Sequence, residues 1–167
     1  IVFSYCYKDS IENCKKYGRL YNWETALNVC PSGWHLPTNE EFETLMSNVG
    51  GEEVAGKMLK STTGWEEYEG KSGNGIDKYG FNAIPAGGRS SSSDFTGMGK
   101  LVHFWSVTEH TKDDVYRLHL DYNGESAALA TTFGLLISPF WSTVTIVRSV
   151  NAAAKIIAAR IIWPPCI

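Results

Sequence analysis

The amino-acid sequence predicts an α+β fold in which two short helices pack on small antiparallel sheets that are joined by long ordered loops. Helix-period patterns occur early in the chain, strand patterns occur late, and a glycine-rich stretch over residues 61–100 separates them. With 167 residues the chain has the length of one domain with a buried core. We expect this domain to span residues 1–150 and an apolar C-terminal tail to span residues 151–167.

Two segments carry the signals of short amphipathic helices. In the first, Asn22 is a helix-capping residue type, and apolar side chains follow at helical spacing over residues 23–30. In the second, Thr38 and Glu41 form a capping-box pattern, which predicts a helix over residues 39–49. Three apolar side chains share the face of this helix that we expect to be buried: Phe42, Leu45 and Met46.

The strand signals lie in the second half of the chain. Residues 103–107 and 115–122 have the composition of strands, and the second segment alternates apolar with polar side chains. Asn123 and Gly124 follow it as a hairpin turn signal. Residues 1–20, in contrast, are predicted to form an irregular strand and a loop.

Composition and motifs exclude several classes of function. The charged fraction is 20% and the net charge is −3 without a basic stripe, so we expect no nucleic-acid partner. The sequence contains no paired C-x-x-C motif and no phosphate-binding loop, and we expect neither a metal nor a cofactor. A polar cluster after one strand favours a solvated turn over an acid–base site, so we predict no enzymatic activity. Its members are Glu109, His110, Asp113 and Asp114.

Cysteine usage favours an oxidising compartment. The chain has four cysteines, and an even number in an aromatic-rich and glycine-rich chain is typical of disulfide-bonded secreted or surface proteins. Reduced, buried cysteines in a cytosolic protein are the alternative. Cys6 and Cys14 bracket a short polar segment, and a disulfide closing it would stabilise the fold by roughly 2.5 kcal/mol.

A long segment without charge distinguishes the last third of the chain. No ionisable side chain occurs from Ser126 to Val147, but Gly134, Pro139 and many hydroxyl residues argue against a membrane span. We expect strands that are buried against a partner chain. The alternative is that the tail folds back over them, pinned by a Cys30–Cys166 disulfide. The expected contact residues are Leu135, Leu136, Ile137, Phe140 and Trp141.

Four distinctive motifs occur along the chain, at residues 14–23 (CKKYGRLYNW), 30–37 (CPSGWHLP), 80–89 (GFNAIPAGGR) and 105–109 (WSVTE). In sequence and in order they resemble the motifs of the Fibrobacter succinogenes major paralogous domain family. The resemblance implies a bacterial protein that is secreted or held at the cell surface. It also implies a C-type-lectin-like fold, similar to that of formylglycine-generating enzymes. The biochemical role of the family is open.

The resemblance also bears on the cysteines. It supports a Cys6–Cys14 disulfide, because Cys14 begins the first motif. Family members usually carry a cysteine in the last strand, where this chain has Ser149. Cys30 therefore lacks its usual partner, and either it has a free thiol or it pairs elsewhere, with Cys166 as the candidate.

Two functional hypotheses follow. In the first, the domain is a non-catalytic extracellular binding or adhesion module, and aromatic rings in its loops stack on a glycan or surface polymer. The candidate rings are Trp65, Tyr68, Tyr79 and Phe95, for which packing inside the domain is the alternative role. In the second, the domain is a structural subunit of a bacterial surface assembly or filament, and residues 126–167 form its contact surface.

Overall fold

The computed structural model describes residues 4–90, 92–133, 142–143 and 147–148. A 3₁₀ turn over Tyr7–Asp9 precedes the helices, which are α1 (Ile11–Tyr17), α2 (Trp23–Ala26), α3 (Asn39–Asn48) and α4 (Glu52–Leu59). The short strands are β1 (Leu20–Tyr21), β2 (Trp34–His35), β3 (Glu67–Tyr68), β4 (Lys71–Ser72), β5 (Gly88–Arg89) and β6 (Phe95–Thr96). The later strands are β7 (Leu101–Glu109), β8 (Asp114–Asp121), β9 (Ala127–Phe133), β10 (Ser142–Thr143) and β11 (Val147–Arg148).

A five-stranded sheet in the order β1-β10-β7-β8-β9 forms the centre of the fold. Strands β7, β8 and β9 are consecutive and antiparallel, β10 runs parallel beside β7, and β1 is antiparallel to β10. Three two-stranded ribbons complete the described strands: β2 with β11, β3 with β4, and β5 with β6. The α+β class is therefore confirmed.

The two predicted strands and the turn after them are confirmed. Phe104 in β7 pairs with Leu118 in β8, and both side chains are buried in the main core. Asn123 and Gly124 lie in the turn that leads from β8 to β9. Period-2 patterning identified these strands because one face of the hairpin packs on the helices.

The helix that begins after Thr38 is also confirmed. The Glu41 backbone N–H donates to Thr38 Oγ1 at 3.2 Å, and the Thr38 N–H donates to Glu41 Oε2 at 2.9 Å, which completes the capping box. Phe42, Leu45 and Met46 are buried as expected. Asn22 likewise caps α2, because its Oδ1 accepts a hydrogen bond from the Thr25 N–H at 3.0 Å.

Two helices were not predicted, and the expectation of an irregular segment over residues 1–20 is wrong in part. Helix α1 forms there because Cys14 is anchored by a disulfide and because Asn13 Nδ2 donates to the Tyr7 carbonyl at 2.9 Å. Helix α4 contains Gly56, which lies against the backbone of Glu125 and Ser126. A Cβ at this position would lie 2.1 Å from the Ser126 carbonyl oxygen, so glycine permits a contact that helix propensity disfavours.

Two clusters of buried side chains hold these elements together. In the main cluster, α3 and α4 pack on the sheet through side chains such as Leu45, Leu59 and Leu118. The second cluster contains both Trp23 and Trp105, whose indole N–H groups donate to the carbonyls of Ser106 at 2.7 Å and Tyr21 at 2.9 Å. These bonds satisfy the polar atoms of both buried indoles.

Several predictions fall on residues outside the described part of the chain. They are the five partner-contact residues Leu135, Leu136, Ile137, Phe140 and Trp141, the tail over residues 151–167, and Cys166. Among the helices described above, none is long and apolar enough to cross a membrane.

Candidate functional site

Two tyrosines meet at the surface where the glycine-rich loop returns to the sheet. Tyr68 lies in β3, and Tyr122 directly follows β8. Their ring centres are 5.6 Å apart with the planes at 83°, an edge-to-face contact. Tyr68 remains 41% exposed. The pair therefore presents aromatic surface to solvent and separates two clefts.

The first cleft has a volume of about 190 Å³ and is lined by both tyrosines together with Asn123. Lys71 in β4 pairs across the ribbon with Tyr68, which places an ammonium group beside the aromatic surface. Lys71 has no ion-pair partner within the described ranges. Glu125 on the opposite rim forms an ion pair with Lys57.

A buried lysine forms the floor of the first cleft. Lys60 is only 2% exposed, and its Nζ donates to the carbonyl oxygens of Asp121 at 3.0 Å and Gly124 at 2.8 Å. The Lys60 ammonium also lies 4.9 Å from the centre of the Trp65 ring. Burial lowers the pKa of Lys60, although the negative charges of Asp121 and Glu125 oppose that shift. This network fixes the turn that carries Tyr122.

Backbone contacts make the same region rigid. The Lys57 N–H donates to the Glu125 carbonyl at 2.8 Å, which ties α4 to the β8–β9 turn. Gly73 lies where a Cβ would come within 2.3 Å of the Glu66 carbonyl and 2.8 Å of the Tyr122 carbonyl. Because only glycine fits there, the β3–β4 ribbon can pack directly against the end of β8.

The second cleft lies on the other side of Tyr122 and has a volume of about 500 Å³. Phe95 lines it together with Tyr7, and their ring centres are 5.2 Å apart. Lys100 lies with its Nζ 5.7 Å from the Tyr122 ring centre and 3.7 Å from Glu66 Oε2. This cleft is thus wider, and its lysine is partly neutralised by a carboxylate.

The four aromatic residues expected to bind a ligand lie in different environments. Tyr68 lines the first cleft and Phe95 the second. Trp65 is 5% exposed in the main core, with its Nε1 donating to Ser61 Oγ and to the Ala83 carbonyl, both at 3.1 Å. Trp65 is therefore a core residue with no ring face free for stacking, which corrects the expectation. Tyr79 is partly buried and packs against the same core.

Sequence reasoning missed Tyr122 and Lys60 as members of the site. Tyr122 belongs to the alternating pattern of residues 115–122, but it lies one position beyond the end of β8. Its position immediately before the Asn123–Gly124 turn was the available signal, since residues at such a turn reach the surface. Lys60 carried no signal, because its partners are 61 and 64 residues away in sequence.

The polar cluster after β7 forms a turn, as expected. His110 N–H donates to the Asp114 carbonyl at 2.8 Å, and His110 Nδ1 lies 2.8 Å from the Tyr116 hydroxyl. The neighbouring acidic residues Glu109 and Asp113 remain exposed or half-buried. These hydrogen bonds account for the cluster as a solvated turn.

A second polar cluster lies on the sheet, where one of its members, His103, is buried. His103 in β7 and His119 in β8 are paired residues, and their ring centres are 4.7 Å apart. Arg117 Nη1 lies 3.4 Å from His103 Nδ1. Burial, assisted by the charge of Arg117, holds the pKa of His103 well below its usual value. Burial also lowers the pKa of His119, and it lowers the pKa of Arg117 to about 10.

Neither cluster includes a set of ligands for a metal ion. Across the part of the chain that the structure describes, no three His, Cys, Asp or Glu side chains converge closely enough to hold one.

The predicted Cys6–Cys14 disulfide is present, with an S–S distance of 2.03 Å. Cys30 carries a free thiol, the first of the two alternatives considered for it, and burial raises its pKa. Its proposed alternative partner, Cys166, lies outside the described residues.

The fold and the clefts define a disulfide-containing α+β domain whose long loops build an aromatic and lysine-lined surface. A model of the Fibrobacter succinogenes major domain matches residues 3–143, and the chain belongs to this family. The resemblance drawn from the four motifs is thereby confirmed. Comparison with curated proteins and with solved structures found no match.

Proposed function

We propose that this chain is a non-catalytic binding module of a secreted or surface-held bacterial protein, and that its first cleft binds a glycan. The observation that carries the proposal is the Tyr68–Tyr122 pair, which is exposed beside Lys71 and Asn123 above a rigid floor. We further propose that the α+β arrangement is a C-type-lectin-like fold, in which long loops outside the sheet carry the binding residues.

The chemistry of the cleft suits a sugar. The C–H faces of a pyranose ring are apolar and pack on aromatic rings, whereas its hydroxyl groups need hydrogen-bond donors and acceptors at the rim. Tyr68 and Tyr122 supply the aromatic rings, and Lys71 and Asn123 supply the hydrogen-bonding groups. Because Lys60 and Gly73 fix the backbone beneath the rings, little ordering entropy would be lost on binding.

The absence of catalysis is also part of the proposal. The carboxylate of Glu125 on the rim of the first cleft is engaged in an ion pair with the Lys57 ammonium group. Lys60 uses its Nζ to hold two carbonyl groups, so it is not available as a base. These contacts support a site that binds without reacting.

A glycan array followed by calorimetry tests this proposal. We expect Tyr68→Ala to weaken binding about tenfold, or about 1.4 kcal/mol, through loss of stacking area. Tyr116→Ala is the matched control, since Tyr116 is a partly exposed tyrosine of β8 that lines neither cleft. Equal affinities for the two variants, or no bound glycan for the wild type, would contradict the proposal.

The second hypothesis, a structural subunit of a surface assembly or filament, rests on the charge-free segment from Ser126 to Val147. Such a segment would leave apolar area in water unless another chain, or the C-terminal tail folding back, covers it. Analytical ultracentrifugation separates the two hypotheses. Polymers at micromolar concentration would favour the assembly, and a monomer that binds glycans would favour the binding module.

A further inference from the structure

An arginine side chain lies directly against the disulfide. Arg19 Nη1 donates to Cys14 Sγ at 3.5 Å and to Cys6 Sγ at 3.8 Å. The rest of the guanidinium group is fixed by Ser4, because Nε donates to Ser4 Oγ at 2.6 Å and Nη2 donates to the Ser4 carbonyl at 3.3 Å. The positive charge is therefore held in place at the two sulfur atoms.

Nothing of opposite charge competes for this arginine in the described ranges. The hydrogen bonds of Arg19 go to Ser4 and to the two cysteines, and no carboxylate forms an ion pair with it there. A guanidinium group with only neutral partners favours any negative charge that develops beside it. The group that could acquire such a charge is a cysteine thiolate.

The two sulfur atoms differ in access to solvent. Cys14 lies in α1 and is 0% exposed, whereas Cys6 precedes the 3₁₀ turn and is partly exposed. Exposure of the two residues therefore favours attack by an external thiolate at Cys6 over attack at Cys14. The buried sulfur is also the one closer to Arg19. Exposure thus favours attack at Cys6, and the charge of Arg19 favours Cys14 as the sulfur that leaves as a thiolate.

We propose that Cys6–Cys14 is an exchange-active disulfide that reacts with low-molecular-weight or protein thiols. The thiolate of the reductant attacks Cys6 Sγ, the Cys6–Cys14 S–S bond breaks, and its electron pair leaves on Cys14 Sγ as a thiolate beside Arg19. The product is a mixed disulfide between the reductant and Cys6. A second thiolate of the reductant attacks the reductant's sulfur in that mixed disulfide, which releases oxidised reductant and a Cys6 thiolate.

The role of Arg19 is to stabilise the leaving thiolate, since a thiol of lower pKa leaves faster and shifts the equilibrium toward the reduced form. The bond closes the loop that carries Tyr7 and Lys8, both of which line the second cleft. This activity is independent of glycan binding in the first cleft.

The full-length chain is equilibrated with mixtures of reduced and oxidised glutathione, alkylated and analysed by peptide mass spectrometry. We expect Arg19→Gln to lower the equilibrium constant for reduction about tenfold, equivalent to about 30 mV. Arg19→Lys should recover part of this loss. Lys15→Gln, which removes the same charge from the exposed face of α1, should match the wild type. Indistinguishable constants for Arg19→Gln and the wild type would overturn the proposal.

Two measurements on the wild-type chain keep the test valid if Arg19→Gln does not fold. Trapped mixed disulfides should carry glutathione on Cys6. The pH dependence of the Cys14 ¹³Cβ chemical shift in the reduced chain, which needs no reagent to enter the fold, should give Cys14 a thiol pKa below the ordinary value of about 8.5. Glutathione on Cys14, or a pKa at or above that value, would overturn the proposal.

Discussion

The ammonium group of Lys60 lies 4.9 Å from the centre of the Trp65 ring and donates hydrogen bonds to two carbonyl groups of the β8–β9 turn. These two buried side chains connect the end of α4, the start of the glycine-rich loop and the turn that carries Tyr122. The proposed binding surface therefore depends on a polar contact in the core beneath it.

Replacing Lys60 should destabilise the whole domain. We expect Lys60→Met to lower the free energy of unfolding by about 1–3 kcal/mol, because the carbonyls of Asp121 and Gly124 lose their donor while the apolar stem is kept. Urea denaturation monitored by tryptophan fluorescence measures the change. Lys57→Met is the control, since its ion pair with Glu125 is solvent-exposed and should contribute at most about 1 kcal/mol. A larger loss for Lys57→Met than for Lys60→Met would contradict this account of the floor.

Gly56 should reverse the usual ranking of glycine and alanine in helices. Gly→Ala inside a helix normally stabilises by about 1 kcal/mol. Here the added Cβ meets the Ser126 carbonyl at 2.1 Å, so we expect Gly56→Ala to destabilise by about 1–3 kcal/mol. Thermal unfolding followed by circular dichroism measures this, and Glu53→Ala on the exposed face of α4 should change stability by less than about 0.5 kcal/mol. Stabilisation by Gly56→Ala would show that α4 does not pack against the Ser126 carbonyl as described.

The His103–His119 pair predicts a specific dependence of stability on pH. Because the folded-state pKa values of His103 and His119 lie below the unfolded value of about 6.5, the unfolded chain binds more protons as the pH falls. The stability contribution of the neutral pair is fully present above about pH 6.5 and is lost as the pH falls toward the folded-state pKa values. Each histidine adds a slope of at most about 1.4 kcal/mol per pH unit.

Urea denaturation between pH 7.5 and pH 5 tests this dependence. His103→Gln should reduce the slope of stability against pH by up to about 1.4 kcal/mol per pH unit, which corresponds to one proton. One titrating group is removed, while a polar side chain of similar size remains. An unchanged slope in this variant would mean that His103 accepts a proton as readily in the folded chain as in the unfolded one.

Local patterns predicted the parts of the fold that local physics determines. Thr38 and Glu41 are three residues apart and cap their helix with each other's backbone, so the sequence alone specifies α3. The β7–β8 hairpin was likewise predictable, because apolar and polar side chains alternate along residues 115–122 and the apolar ones indicate the buried face. Helix α4 was missed because Gly56 lowers its helix propensity. The glycine is needed for close contact with Ser126, which is 70 positions away in sequence.

The candidate site was predictable only in part, because contacts between residues distant in sequence bring its members together. Tyr68 and Phe95 were identified as loop aromatics, but sequence could not distinguish them from Trp65, whose indole is enclosed by Ser61 and Ala83. The distinction depends on how the glycine-rich loop folds back on α4 and the sheet. Cys6 and Cys14 were paired correctly because they are only eight positions apart, whereas the position of Arg19 against their sulfurs needed the structure.

Mapping of backbone amide chemical shifts during titration with an array-selected glycan tests the central claim most directly. We predict that the largest shifts occur at Tyr68, Lys71, Tyr122 and Asn123, which surround the first cleft, and that Tyr68→Ala abolishes or strongly reduces them. Shifts centred on another surface, such as the turn around His110, or a pattern unchanged by Tyr68→Ala, would contradict the assignment of this cleft as the binding site.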